Sequence, residues 1–145
     1  MIEVRKIASK ETYPLRHKVL WPHLKEHECG IDSDFLDEAF QLGSFYKDQL
    51  ISIGTFFPQQ HQQFKSTKQF RLRAMATDPD FRGLQSGKKL MEAAFEHLQS
   101  IGVDLLWCDA RLIATGFYEK LGMDVMGEIY DVPKIGPHKL MYIQF

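Results

Sequence analysis

The run Asp78-Pro79-Asp80-Phe81-Arg82-Gly83-Leu84-Gln85-Ser86-Gly87-Lys88-Lys89-Leu90 constrains the fold of this chain more than any other stretch. Before it, Phe70-Arg71-Leu72-Arg73-Ala74-Met75-Ala76 reads as a strand; after it, Leu90, Met91, Ala94, Phe95 and Leu98 recur at helical spacing. A strand therefore hands over to a helix through a loop with two glycines and closely spaced basic side chains. A helix N-terminus leaves backbone N–H groups unpaired and carries partial positive charge, so such a junction suits an anion. Gly83 and Gly87 let the backbone turn sharply and approach a ligand with no Cβ in the way. A phosphate or pyrophosphate is the natural guest, which points toward a nucleotide-like cofactor.

Composition narrows the setting. At 145 residues, with 44% hydrophobic and 26% charged side chains, the chain fits one soluble globular domain with a real core. A formal net charge of -1 supplies no global field for nucleic acid or an anionic membrane. Cys29 and Cys108 lie far apart and form no disulfide framework, as in a reduced intracellular protein. No apolar run approaches the ~20 residues of a membrane span. Met1-Ile2-Glu3-Val4-Arg5-Lys6-Ile7 alternates like a strand and lacks the apolar block of a signal peptide, so the expected location is cytoplasmic.

Along the chain, Ile2, Val4 and Ile7 indicate a first strand. Ser9 or Thr12 can cap a helix carrying Leu15, Val19 and Leu20, with Pro14 in its first turn and Pro22 as its stop. An acidic start at Asp32-Ser33-Asp34, an apolar stripe of Phe35, Leu36, Ala39 and Phe40, and Gly43 beyond predict a second, short helix. Ser44 to Tyr46 and Leu50 to Phe57 flank Lys47-Asp48-Gln49 as a hairpin. Pro58 to Gln69, rich in glutamine, reads as a mobile loop and not as a site. A strand from Gln69 to Thr77 follows, then the glycine turn and a long helix ending near Gly102. Val103 to Cys108 has the unbroken apolarity of a strand covered on both faces. A short helix from Ala114 to Leu121 and two last strands, Asp124 to Tyr130 and Lys139 to Phe145, complete the chain.

These segments together resemble the GNAT superfamily of acetyl-CoA-dependent N-acyltransferases. The cofactor loop of that family falls on Arg82, Gly83, Leu84, Gln85, Ser86 and Gly87, with Gln85 where a central glycine is usual. Ala114-Thr115-Gly116-Phe117-Tyr118-Glu119-Lys120-Leu121-Gly122-Met123 is similar to the family's later motif. The stretch Asp131 to Tyr142 resembles a tail seen in small bacterial members. Arg111 departs from the pattern, standing where many members carry an Asn that contacts the pantetheine arm.

The resemblance implies a site. The strand holding Met75, Ala76 and Thr77 splays from the one holding Cys108, and the pantetheine arm lies in the gap against main-chain groups of Met75 and Thr77. A backbone N–H near Met75 polarises the acetyl carbonyl; a donor aimed at a developing oxyanion is worth roughly 2.7–4 kcal/mol. Pyrophosphate rests on the N–H groups from Gly83 to Lys88, with Arg82 and Lys88 as charge partners. Leu84, Gln85, Ser86, Gly87, Arg111, Gly116 and Phe117 complete the implied acetyl-CoA contacts. Tyr118 is the implied general acid toward the departing thiolate, against the alternative of simple packing beside Leu121. For the acceptor's proton, His138, Glu128, Asp109 and relay through water all stand open. Arg71 and Arg73 alternate on one strand face: either they line the acceptor pocket, favouring an acceptor with a carboxylate, or they pair with nearby carboxylates. His23, His27 and Cys29 match no zinc spacing and read as solvated loop residues, and Cys108 reads as an inert buried thiol.

The expectation is a single domain over 1–145, α/β in class (mixed α+β), with a central and mostly antiparallel GNAT-like sheet, a splayed parallel strand pair and helices on both faces. Its expected activity is acetyl transfer from acetyl-CoA to a small-molecule or peptide amine by direct attack in a ternary complex, without metal or acyl-enzyme. The rivals are a catalytically silent acyl-CoA sensor on the same fold and a general phosphate- or nucleotide-binding protein. The acceptor's identity is open, and so is assembly, a homodimer included. No nucleic-acid or membrane partner is expected.

Overall fold

Alternating apolar residues at both ends of the chain make strands, and the structure joins them in one sheet. A computed structural model describes residues 1–145. The elements are β1 (Ile2–Ile7), a composite helix α1 (residues 9–20), β2 (Phe40–Tyr46), β3 (Gln49–Pro58), β4 (Gln69–Thr77) and α2 (Ser86–Ser100). They continue with β5 (Leu105–Arg111), α3 (Thr115–Lys120), β6 (Asp124–Val132) and β7 (Gly136–Gln144). The sheet runs β1-β2-β3-β4-β5-β7-β6, antiparallel throughout except where β4 pairs with β5. The last strand thus inserts beside β5, and β6 forms the edge.

Two faces are covered by different helices. Leu90, Met91, Ala94 and Leu98 of α2 bury their stripe against Phe40, Phe56, Phe70 and Leu72, with Phe40 and Phe56 stacked at 5.1 Å. Each of these leucine, methionine and phenylalanine side chains contributes about 1.5–3 kcal/mol on burial. Leu15 of α1 packs on the opposite side with Ile53 and Ala76. Mixed α/β class, splayed parallel pair and helices on both faces are as the sequence indicates.

The expected second helix does not form. Asp32–Phe35 makes only a 3-10 turn, and the apolar stripe separates: Phe35 and Leu36 stay exposed, Ala39 lies just before β2, and Phe40 enters it. Asp34 is drawn inward by Arg16, fully buried on α1, in a two-point ion pair at 2.8 and 2.7 Å. Arg16 also donates to the Cys29 carbonyl and to Thr55 Oγ1. This pin fixes the intervening loop on β3 and outcompetes a free-standing helix. Gly43 is no helix stop; a Cβ there would lie 2.5 Å from the Leu50 side chain, so it lets β2 pack closely.

Other expectations change in detail. Neither Ser9 nor Thr12 caps α1; the Glu11 carboxylate accepts from the Ala8 N–H at 2.6 Å instead. The helix widens into a π turn over Arg16–Leu20 before Trp21. The hairpin forms as read but its turn tightens to Lys47 and Asp48, both left-handed, the form a two-residue loop requires, with Gln49 already in β3 and paired to Tyr46. The glutamine-rich loop is tied down: Phe64 is buried beside Trp107, Gln69 Nε2 donates to the Phe64 and Ser66 carbonyls, and Trp107 Nε1 donates to the Gln59 carbonyl. Cys29 is buried, not solvated, with His23 and His27 exposed around it. No helix is long and apolar enough to cross a membrane.

Candidate active site

The site begins where β4 and β5 part. They pair only through Gln69–Leu105, Phe70–Leu106 and Arg71–Trp107; beyond these residues both strands continue without a common ladder. Just there β4 carries a bulge. Thr55 faces Arg73 and Ile53 faces Ala76, so Ala74 and Met75 together oppose Gly54. Ala74 adopts φ +55°, a conformation that costs a non-glycine residue about 1–3 kcal/mol and clusters at functional sites. Bulged main-chain groups leave the ladder and become available to another partner.

A cavity of about 290 Å³ fills the opening. Met75, Cys108, Arg111, Tyr118 and His138 line it, with Trp21 delivered from the end of the π turn. Tyr118 is only 7% exposed and sits edge-on to Phe117 at 5.1 Å. Burial, then proximity to Cys108, pushes its phenol well above the ordinary range, so it stays protonated at neutral pH. Burial also drives the Cys108 thiol far up, making it an inert neighbour. His138 lies inside β7, opposite both Arg111 and Tyr130, and not before the strand as its sequence position implied. Its Nδ1 lies 2.8 Å from the Gly136 carbonyl. A carbonyl only accepts, so Nδ1 carries a proton there, and Nε2 is the ring nitrogen left without a hydrogen-bond partner.

The other candidate bases are otherwise engaged or distant. Asp109 accepts from Arg71 Nη2 at 2.6 Å and from the Tyr130 hydroxyl. Burial and that bond to Asp109 raise the Tyr130 phenol. Glu128 is exposed on β6 and does not border the cavity. Arg71 and Arg73 both border it, and they differ: Arg71 is paired with Asp109, whereas Arg73 joins no ion pair.

The glycine loop stands apart from the cavity, at the start of α2. The first helical bond runs from the Lys89 N–H to the Gln85 carbonyl, so the N–H groups of Ser86, Gly87 and Lys88 have no helical acceptor. Gly83 has φ +83°. Gln85 is left-handed at φ +59°, which is why glycine is the easier residue at that place. Arg82, Gly83, Gln85 and Lys88 are exposed, and Leu84 is half-buried. Gly87 is buried against Met75 and Phe117, each 3.3 Å from where a Cβ would stand. Phe117 thereby joins α3 to the first turn of α2, while Gly116 faces open space. Ala76 turns its side chain into the core on the far face.

Sequence reading missed the device that fixes this turn. Ser44 Oγ donates to the Ser86 carbonyl, the Ser52 and Ser86 hydroxyls lie 2.6 Å apart, and Ser52 lies 2.8 Å from the Thr77 hydroxyl. Ser86 and Thr77 thus spend their side chains on the sheet, leaving only main-chain groups for a ligand. Hydroxyls on three separate strands and a helix give no local pattern. Lys18, reaching from α1 to Asp78 and Asp80 at 2.9 Å each, clamps the loop's other end.

A mixed sheet parted beside a helix N-terminus, with a protonated phenol in the opening, has the architecture of an N-acetyltransferase. The chain belongs to the acetyltransferase (GNAT) family, whose profile matches residues 2–123. An uncharacterised N-acetyltransferase of Bacillus subtilis (strain 168), YitI, is 39% identical over 142 residues, spanning 98% of this chain and 95% of the relative. Among solved structures, a provisionally assigned N-acetyltransferase from Lactobacillus plantarum superposes with TM-score 0.79 at 23% identity, covering 99% of this chain and 97% of that one. An aminoglycoside 6'-N-acetyltransferase complexed with coenzyme A superposes with TM-score 0.73 at 16% identity, over 98% and 97% of the two chains. Both superpositions support the fold.

Proposed function

We propose that this N-acetyltransferase moves an acetyl group from acetyl-CoA to an amine by direct attack within a ternary complex. The observation that carries the reading is the cavity at the β4–β5 split, which brings Tyr118, His138 and the bulged Met75 together. The residues suit the co-substrate: unpaired N–H groups from Ser86 to Lys88, beside Gly83, favour a pyrophosphate, with Arg82 and Lys88 near at hand. The bulge frees main-chain groups of Ala74 and Met75 for the pantetheine arm and the thioester carbonyl.

In the reaction, the amine nitrogen bonds to the thioester carbon, and the C–S bond then breaks. His138 Nε2 accepts the proton lost by nitrogen, while Tyr118 donates its proton to the departing sulfur. Each such proton transfer contributes typically 10²–10⁴-fold. A phenol held neutral by burial suits the donor role, and an imidazole whose Nδ1 is fixed by Gly136 suits the acceptor role. Tyr118→Phe should retain coenzyme A binding and lose acetyl transfer by about 10²-fold or more. His138→Gln should act likewise, with the loss shrinking at high pH as solvent bases take over the proton. If Tyr118→Phe turned over as fast as the native protein, Tyr118 would have no part in the mechanism. Titration against coenzyme A, ATP and NAD separates this reading from general nucleotide binding, since a preference for ATP would defeat it.

A further inference from the structure

Resting on that reading, we infer that the amine acceptor carries a carboxylate, as an amino acid or short peptide does, and that Arg73 receives it. The placement is specific. Arg71 and Arg73 are the two residues common to the catalytic cavity and to a second groove, roofed by Gly30, Ile31, Asp32 and Ser33 and floored in part by Phe57. A molecule spanning the groove and the cavity lies against both arginines.

The two arginines are not equivalent. Arg71 is committed: Nη2 donates to Asp109 at 2.6 Å, Nη1 to Gln59 Oε1 at 3.2 Å, and the guanidinium lies over the Trp107 ring at 4.8 Å. Arg73 has no carboxylate within ion-pair distance, although Asp32 lines the same groove. Desolvation, and then the like charges of Arg71 and Arg16, lower its pKa from the usual guanidinium range against the opposing pull of Asp109 and Asp34, neither of which pairs with it. Two further donors nearby also lack acceptors: Ser33 Oγ and Arg71 Nε are sealed from solvent without a hydrogen-bond partner. Buried donors are normally paired, so these two, beside the exposed and unpaired Arg73, mark a place suited to an acceptor group. A carboxylate fits a guanidinium fork at two points and leaves an oxygen for a hydroxyl. Leu36 and Phe57 add an apolar wall for a side chain.

Matched acceptor pairs test this. Free coenzyme A release is followed with the standard amino acids and glycyl dipeptides, each beside its C-terminal amide. The native protein should favour the acids, and Arg73→Gln should raise KM for them by about 10–150-fold, the worth of one charge-assisted contact, with a smaller change in kcat. The amides should lose far less than the acids. Equal use of acids and amides, an unchanged KM in the variant, or turnover confined to amines without a carboxylate would overturn the inference and leave the acetyl-transfer reading intact. So would a failure of every acid to react while coenzyme A still raises the melting temperature of both proteins. If coenzyme A raises neither, acetyl transfer itself fails, and this inference with it.

Discussion

Gln85 offers the sharpest test of the glycine-loop geometry, because its strain is local and its side chain is exposed. It holds φ +59° and ψ +26° as the residue before α2. A left-handed non-glycine residue costs about 1–2 kcal/mol. Glycine at this place removes that strain but adds about 0.5–1 kcal/mol of unfolded-state entropy. The balance for Gln85→Gly is a gain of about 0.5–1 kcal/mol. Unfolding entropy near 2.1 cal/mol/K per residue, over 145 residues, is about 0.3 kcal/mol/K. The melting temperature should therefore rise by about 2–3 °C. Gln85→Ala keeps the Cβ and the strain, so it should melt within about 1 °C of the native protein. Gly83→Ala, at φ +83° with open space around it, gains the strain but sheds the glycine entropy, so by the same balance its melting temperature should fall by about 2–3 °C. Differential scanning calorimetry of the three variants reads all of this directly. If glycine and alanine at position 85 melted together, the turn would not be strained as described, and the explanation for a glycine preference there would be wrong.

Two further outcomes follow from charges that hold the cleft in place. Asp34→Asn leaves the Arg16 guanidinium buried without its counter-charge and should cost about 3–5 kcal/mol in chemical denaturation, whereas the Arg16→Met, Asp34→Leu double variant should recover much of it. Recovery would show that the loss came from the stranded charge and not from the missing side chain. For Asp78, burial alone would raise the carboxyl, but the Lys18 hydrogen bond, the Asp80 N–H and the Lys18 charge outweigh it, so its pKa lies below the usual 3.8. A depressed folded pKa gives stability that is present above the unfolded value and lost as pH falls through the folded one. Stability should therefore drop below about pH 4, and Lys18→Met should flatten that part of the profile; an unchanged acid limb would refute the clamp.

The sequence reached different depths in different places. The strand-turn-helix from Gln69 to Ser100 was legible because periodicity and turn chemistry there are local. Tyr118 was legible through its motif. The region between Pro22 and Gly43 was not: an acidic start and an apolar stripe looked helical, yet Arg16 takes Asp34 into the interior and β1 and β3 take Phe40 and Leu42 into the sheet. Long-range partners overrode local propensity. His138 was readable as a residue but not as a position, since only the insertion of β7 beside β5 places it against the cavity.

Local order thus came from the sequence alone: where strands alternate, where the backbone must turn through glycine, and which loop presents free N–H groups. These features depend on neighbours a few residues away, within reach of periodicity. Tertiary structure alone decided which charges are spent and which are free. Arg71 and Arg73 stand two residues apart on one strand, yet the first meets Asp109 from β5 while the second meets no carboxylate. That difference is a matter of distance across the sheet, and no spacing along the chain encodes it.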